Sequence, residues 1–157
     1  MSESAFQDHY PEAYAQCYGC GRLNETGLHI RSHFEGEVSV CRFTPREEHR
    51  AMHGIVYGGL LASLIDCHAT GTAAAAATLA AGDTLSRETI RRFVSAHLGV
   101  DFLAPTPAGV ELELRARTVE VKARKVVVDV ELLAEGRTTV RGHVICVEAP
   151  ASLFEDA

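Results

Sequence analysis

The sequence predicts an α+β fold in which a curved antiparallel sheet of about six strands wraps around one long helix. The segment from Gly58 to Ala81 is apolar, with large aliphatic residues at helical spacing. The segments before and after it alternate apolar and polar residues with a period of two, and short connections join them, which favours antiparallel pairing. Only one long helix is available to cover the sheet, so the simplest arrangement wraps the sheet around that helix.

The length of 157 residues fits a single domain. Residues 1–26 are polar and show no sustained period, which predicts an irregular or partly helical N-terminal lead-in. Residues 27–149 are expected to form the one domain, and residues 150–157 a loose C-terminal tail.

The composition excludes several classes of protein. Hydrophobic residues make up 46% and charged residues 23% of the chain, as in ordinary globular proteins. The 15 Lys and Arg are outnumbered by 21 Asp and Glu, so the basic surface that binds nucleic acid is not expected. The five cysteines and an N-terminus with neither a basic start nor an apolar stretch indicate a reduced, cytoplasmic protein.

The chain before the helix predicts a hairpin. Residues 28–34 alternate in character, Glu35-Gly36 offers a turn, and a second strand follows from Val38. A polar stretch over residues 44–52 then leads to the helix.

The long helix contains an unbroken alanine run from Ala73 to Ala77. A helix this thin and apolar is expected to be buried around most of its circumference. It also contains Asp66 and His68, so we expect a core helix rather than a membrane span.

The chain after the helix predicts about four strands. A charged linker over residues 83–92 precedes them, and a turn at Glu135-Gly136 separates the last two. The period of two is seen in residues 98–102, 110–117, 126–132 and 138–147. The outer face of the sheet mixes apolar and charged residues, so a second copy of the chain is expected to cover part of it.

The string His-Gly-Ile-Val-Tyr-Gly-Gly-Leu begins at His53, and Asp66 follows eight residues after Gly58. It resembles the signature of hotdog-fold acyl-CoA thioesterases of the phenylacetyl-CoA (PaaI-like) group, which shows His-Gly-Gly followed by an acidic residue at this spacing. The resemblance extends to the Cys-Tyr-Gly-Cys-Gly string at residues 17–21 and to the strand at residues 100–105.

The resemblance implies hydrolysis of an acyl-CoA or related thioester by a homodimer or a dimer of dimers. Each site would combine the glycine turn of one chain with the acidic residue of the other, with no cofactor beyond the CoA of the substrate. Two positions depart from the family pattern: Tyr57 stands in place of the usual histidine, and Ala51 in place of a frequent asparagine. A tyrosine hydroxyl, with a pKa near 10, is a poor substitute for imidazole, so His53 is a candidate for part of that role.

Thioester hydrolysis needs a group that stabilises the oxyanion and a base or nucleophile. If Gly58 and Gly59 open the helix, their N–H groups have no intrahelical partner and lie at the positive end of the dipole. Asp66 is about 12 Å further along the helix at 1.5 Å per residue, too far to act on a carbonyl held by its own Gly58. The acid would therefore come from a second subunit.

Each of these residues also has a purely structural interpretation. Asp66 could bond to Ser63, Thr70 or nearby backbone, and Tyr57 could be a core or interface tyrosine. His68 is expected to be a satisfied interior histidine rather than a catalytic one.

The cysteines are not expected to bind metal. Cys17 and Cys20 form a lone C-x-x-C, and zinc would need two more ligands, for which no second pair follows at a convincing spacing. Cys67 is interpreted as a compact apolar filler of the helix.

The basic cluster at residues 122–125 is a candidate site for the CoA phosphates, although a solvated turn is the more frequent origin of such a cluster. Its basic residues are Lys122, Arg124 and Lys125, and Arg87, Arg91 and Arg92 are an equal candidate for the same contact. The competing functions are a non-catalytic protein that binds acyl thioesters and, more remotely, a dehydratase or hydratase of the same fold. The sequence does not name the acyl group of this small-molecule thioester.

Overall fold

The computed structural model describes residues 4–155. Within them, six strands form one antiparallel sheet of order β1-β2-β4-β5-β6-β3 around a single α-helix. This is the predicted hotdog arrangement. The elements are β1 (Ser32–Glu35), β2 (Val38–Phe43), α1 (Gly58–Ala80), β3 (Phe93–Phe102), β4 (Leu112–Val121), β5 (Lys125–Ala134) and β6 (Arg137–Glu148).

The first strand begins later than its alternating pattern predicts. Residues 28–31 lie outside the sheet, where the N–H groups of Leu28 and Ile30 donate to the carbonyl oxygens of Tyr18 and Gly19, at 2.8 and 2.9 Å. His29 between them has φ of 53°, which an extended strand does not allow. The N-terminal loop therefore takes the hydrogen bonds that a neighbouring strand would have used.

The core lies between α1 and the inner face of the sheet. Leu61, Leu64 and Ile65 of the helix are almost completely buried, and they belong to one cluster with the inward residues of β4, β5 and β6. Those strand residues are Leu112, Leu114, Ala116, Val126, Val128, Val130, Leu132, Val140, Val144 and Cys146. By length and composition α1 could cross a membrane, but most of it is buried in this core.

One face of α1 is open, which differs from the prediction of a helix buried on nearly every side. Gly59, Ala62, Ser63 and Asp66 are half-buried or exposed, and their spacing of three and four residues places them on one side of the helix. The adjacent strand β3 is a ten-residue edge of the sheet. An uncovered surface therefore runs from the open face to this edge.

The segments at either end of residues 4–155 pack on the domain. Two short 3₁₀ helices, Phe6–His9 and Glu12–Tyr14, precede the sheet, and Tyr10 between them is fully buried. Residues Ala151–Phe154 form another 3₁₀ turn, and the ring of Phe154 lies 4.4 Å from that of Tyr14. Up to residue 155, the expected loose tail is thus in contact with the lead-in.

Candidate active site

The start of α1 presents two free backbone donors. Tyr57 is the N-cap in an extended conformation; its N–H donates to His49 O at 2.8 Å, and its carbonyl accepts from Leu60 N–H at 3.1 Å. The N–H groups of Gly58 and Gly59 have no hydrogen-bond partner within residues 4–155. They carry the positive partial charge of the helix N-terminus, which suits a developing oxyanion.

An apolar groove of about 380 Å³ borders these donors. Its walls come from the loop before α1, the first turn of the helix and the end of β3. The residues lining it include Met52, Ile55, Gly58, Leu61, Phe102 and Leu103. An acyl chain lying in this groove would have its polar end close to Gly58.

Tyr57 covers the helix start with its ring. A Cβ atom on Gly59 would lie 2.5 Å from the Tyr57 Cε1 and Cζ atoms, so Gly59 must lack a side chain for the ring to stay where it is. The hydroxyl forms no hydrogen bond to any residue between 4 and 155, and the side chain is largely exposed. The sequence-based reasoning missed this contact, in which the glycine accommodates the aromatic ring.

Asp66 lies on the open face, two turns beyond Gly59. Its carboxylate accepts no hydrogen bond from the described part of the chain, and the two expected partners are engaged elsewhere. The Ser63 hydroxyl donates to Gly59 O at 2.8 Å, and the Thr70 hydroxyl to the backbone oxygen of Asp66 at 3.1 Å. Within the described residues, Asp66 therefore has none of the structural hydrogen bonds that would explain it.

The charge of Asp66 acts on a buried thiol of β6. The pKa of Cys146 is raised to about 12, mainly by burial and to a smaller extent by the Asp66 carboxylate. Cys146 is therefore neutral at physiological pH and is not a nucleophile for this site.

His53 lies apart from the glycine donors. It is exposed on a tight turn in which Ala51 N–H donates to Ile55 O at 3.0 Å. It lines a neighbouring hollow with Glu47 and Arg50 rather than the apolar groove. Within the described residues, its imidazole forms no hydrogen bond with Gly58.

Most of the basic residues proposed to contact the CoA phosphates lie near the C-terminal end of α1. Lys122 and Lys125 pair with Glu120 at 3.1 and 3.4 Å, Arg124 is exposed beside them, and Arg91 donates to Ala123 O at 3.0 Å. They lie by the last turn of the helix. At 1.5 Å per residue, the helix separates them from the glycine donors of the same chain by about 33 Å.

Arg92 points in a different direction from Arg91. Its guanidinium carbon is 5.1 Å from the centre of the Tyr10 ring, and its Nη1 atom is buried without a hydrogen-bond partner in the described residues. It is not part of the exposed basic cluster.

His68 is the satisfied interior histidine that the sequence predicts. It is fully buried; Nδ1 lies 2.8 Å from Ser32 Oγ and Nε2 lies 3.1 Å from Ser39 O. A neutral ring that donates from Nε2 and accepts at Nδ1 satisfies both contacts. Burial lowers the pKa of His68 to about 4, which keeps the ring neutral.

Solved structures similar to this chain share its fold. A thioesterase superfamily protein from Shewanella loihica is 44% identical, with a TM-score of 0.68 over 88% of this chain and 97% of that one. The PaaI protein of the Escherichia coli phenylacetic acid degradation operon is 19% identical, with a TM-score of 0.63 over 78% and 81%. A hypothetical thioesterase from Streptococcus pneumoniae, solved with coenzyme A, is 14% identical, with a TM-score of 0.60 over 76% and 85%.

A search of curated proteins found no match. The family model of the thioesterase superfamily matches residues 53–141, which span the turn before α1, the helix and most of the sheet. The matched region contains the glycine donors and Asp66, and it is more than half of the chain. The chain belongs to the thioesterase superfamily.

Proposed function

We propose that this protein hydrolyses an acyl-CoA or a related acyl thioester to the free acid and thiol. The observation that carries the proposal is the pair of N–H groups of Gly58 and Gly59, which have no partner in the described part of the chain and lie beside an apolar groove. The groove takes the acyl chain, and the two donors take the carbonyl oxygen. An oxyanion donor of this kind contributes about 10²–10³ in rate.

Asp66 supplies the base or the nucleophile from a second copy of the chain. Its carboxylate is about 12 Å along the helix from Gly58, beyond the reach of a carbonyl held by the same chain. Its place on the open face, with small neighbours such as Gly59 and Ala62, allows a partner helix to approach closely. The resemblance to PaaI-like thioesterases favours the same division of the site between two chains.

The edge of the sheet also supports a dimer. β3 pairs with β6 on one side only, and its other side is free within the described chain; Leu98 and Phe102 of this strand and the adjacent Leu103 are substantially exposed. A long apolar edge strand is a template for pairing with another chain. A homodimer formed here covers the open face and brings the partner's residues toward the groove.

The chemical step is the addition of water to the thioester carbon. As general base, Asp66 accepts the water proton while Gly58 and Gly59 stabilise the oxyanion; collapse of the tetrahedral intermediate then expels the thiolate. As nucleophile, the same carboxylate adds to the thioester carbon in place of water and expels the thiolate; water then hydrolyses the resulting acyl anhydride in a second step. Neither route requires a metal or a redox cofactor.

The exposed basic cluster is the proposed contact for the CoA phosphates. Within one chain, the residues of this cluster lie too far from the glycine donors to bind the same substrate molecule. They are Arg91, Lys122, Arg124 and Lys125. They therefore serve a site completed by another subunit. Arg92 is excluded from this role because its side chain points inward over Tyr10.

The proposal is tested by measuring free thiol release from short, medium, branched and aromatic acyl-CoAs. We expect turnover of at least one class, with a loss of two or more orders of magnitude in Asp66→Asn. Full turnover in that variant removes Asp66 from the mechanism. Saturable binding of every acyl-CoA with no thiol release would instead favour the non-catalytic acyl-thioester-binding function.

A further inference from the structure

Three cysteine sulfurs meet outside the candidate active site. The Sγ atoms of Cys17, Cys20 and Cys67 all lie within 4.8 Å of one another, and those of Cys17 and Cys67 are 3.9 Å apart. Cys20 and Cys67 are buried, whereas Cys17 is partly open to solvent. The cluster therefore has a closed inner side and one accessible side.

The N-terminal loop is wound tightly around the Cys67 sulfur. A tight turn brings Gly21 N–H to Cys17 O at 2.8 Å, and the N–H groups of Gly19 and Cys20 face the Cys17 sulfur. A Cβ atom on Gly19 would overlap Cys67 Sγ, so this position of the C-x-x-C accepts only glycine while the sulfur stays where it is. The loop and the helix thus build one pocket of three sulfurs.

We propose that Cys17, Cys20 and Cys67 bind a thiophilic d¹⁰ cation, Zn²⁺, as three thiolates, with a fourth position open toward solvent. Zn–S bonds of about 2.3 Å in a tetrahedral site place the sulfurs about 3.8 Å apart. The 3.9 Å between Cys17 and Cys67 meets this spacing, and Cys20 needs to move by less than about 1 Å. Water takes the fourth position, and each thiol gives up its proton on binding.

Arg92 provides the matching charge. Zn²⁺ with three thiolates has a net charge of −1, and the Arg92 guanidinium is largely buried close enough to act on all three sulfurs. One of its nitrogens has no partner, and no carboxylate pairs with it within residues 4–155. With three neutral thiols, the face of the Tyr10 ring is the compensation that the described residues show for this largely buried cation, whereas the metal complex supplies a full counter-charge.

The metal would join the N-terminal loop to the central helix one residue from Asp66. Zinc held by two distant parts of the chain contributes directly to folding stability. The sequence-based expectation of no metal rested on the lack of a second cysteine pair. The position of Cys67 in an apolar helix gives no sequence signal of ligation.

The test measures bound zinc in the full chain, purified under reducing conditions, by elemental mass spectrometry after dialysis. We expect about one Zn²⁺ per chain, a loss of at least tenfold in Cys17→Ser and Cys67→Ala, and no loss in Cys41→Ala. Cys41 is a matched control because it is a buried cysteine of β2 outside the cluster. Replacing zinc with Co²⁺ should give thiolate-to-metal charge-transfer absorption.

Several results would overturn the proposal. The proposal is wrong if the reduced wild-type chain takes up no metal from added Zn²⁺ or Co²⁺, or if Cys17→Ser leaves the zinc content unchanged. A disulfide among Cys17, Cys20 and Cys67 in the native protein would also contradict it. If Cys67→Ala does not fold, the zinc content of Cys17→Ser, at the accessible side, and the Co²⁺ spectrum of the wild type still test the proposal. Metal content is measured without turnover, so its outcome is independent of the proposed hydrolysis.

Discussion

Two polar residues of α1, Asp66 and His68, lie on different sides of the helix and differ in their hydrogen bonding. On the closed side, His68 is fully buried, and its two ring nitrogens contact Ser32 and Ser39. On the open side, Asp66 is half-exposed, and its carboxylate is bonded to nothing within residues 4–155. Both residues interrupt the same apolar helix, but only one has its hydrogen-bonding capacity used by the fold.

This difference separates a structural polar group from an available one. A buried polar side chain is tolerated when its partners are present, and the closed side extends the network to Gln7 and Thr72. A carboxylate on an apolar helix that forms no hydrogen bond adds nothing to the stability of the isolated chain. Its place on the open face fits contact with a ligand or a partner subunit, and this is the basis of the proposed catalytic role.

The largest effect is expected on the open side, from Asp66→Asn. The amide keeps the shape of the side chain but cannot accept a proton, so kcat for thiol release should fall by about 10²–10⁴. Ser63→Ala, one turn earlier on the same face, is the matched control and should keep most of the activity. Equal losses in the two variants would show that the open face matters only for packing.

The helix start is tested next, by Gly58→Pro. Proline fits the first position of a helix and removes one N–H donor, and Tyr57 before it is already extended, with ψ of 126°. We expect kcat to fall by about 10²–10³. Gly58→Ala adds the same Cβ beside Phe102 but keeps the donor; if it is as inactive as the proline variant, the N–H is not the cause.

The closed side should respond in stability rather than in catalysis. The pKa of His68 is lowered to about 4 in the folded chain and is near 6.5 when unfolded, so the unfolded state binds the proton first. Stability is then complete above about pH 6.5 and is lost on acidification, by about 2 kcal/mol between pH 7 and pH 5. Urea unfolding measures this loss, which His68→Gln should abolish; a parallel loss in both proteins would assign it to other groups.

The smallest effect is expected from Tyr57→Phe. The ring that covers Gly59 is kept, and the removed hydroxyl has no partner in the described chain. The value of kcat/KM should change by less than about threefold, as for a surface substitution. A loss of tenfold or more would give the hydroxyl a role in the reaction, in place of the histidine usual in this group.

Periodicity was sufficient to predict the fold. The alternation of β4, β5 and β6 and the length of α1 are local signals, and the predicted turn at Glu135-Gly136 forms, with Gly136 at φ of 78° as its residue type allows. The late start of β1 was missed because the loop at Tyr18 and Gly19 competes for the same backbone groups. That competition depends on tertiary contacts and has no periodic signature.

The positions of the candidate site residues were predicted in part, and their roles remain a prediction. Gly58, Gly59 and Asp66 carry a motif, and the structure places the two glycines at the start of α1 and Asp66 on its open face. The inward turn of Arg92 and the meeting of Cys67 with the N-terminal loop were not predictable. Each depends on which side of a short loop faces the core. The sequence of a pair of arginines or of an isolated cysteine is the same whether the side chain points inward or outward.

The central claim is that Asp66 of one chain acts on a carbonyl held by Gly58 and Gly59 of another. Mixing equal amounts of Asp66→Asn and Gly58→Pro under conditions that exchange subunits tests it directly, because each mixed dimer contains one intact site. Random exchange should restore about one quarter of wild-type activity from two almost inactive proteins. If both groups act within one chain, every site stays damaged; no recovery despite proven subunit exchange would contradict the account.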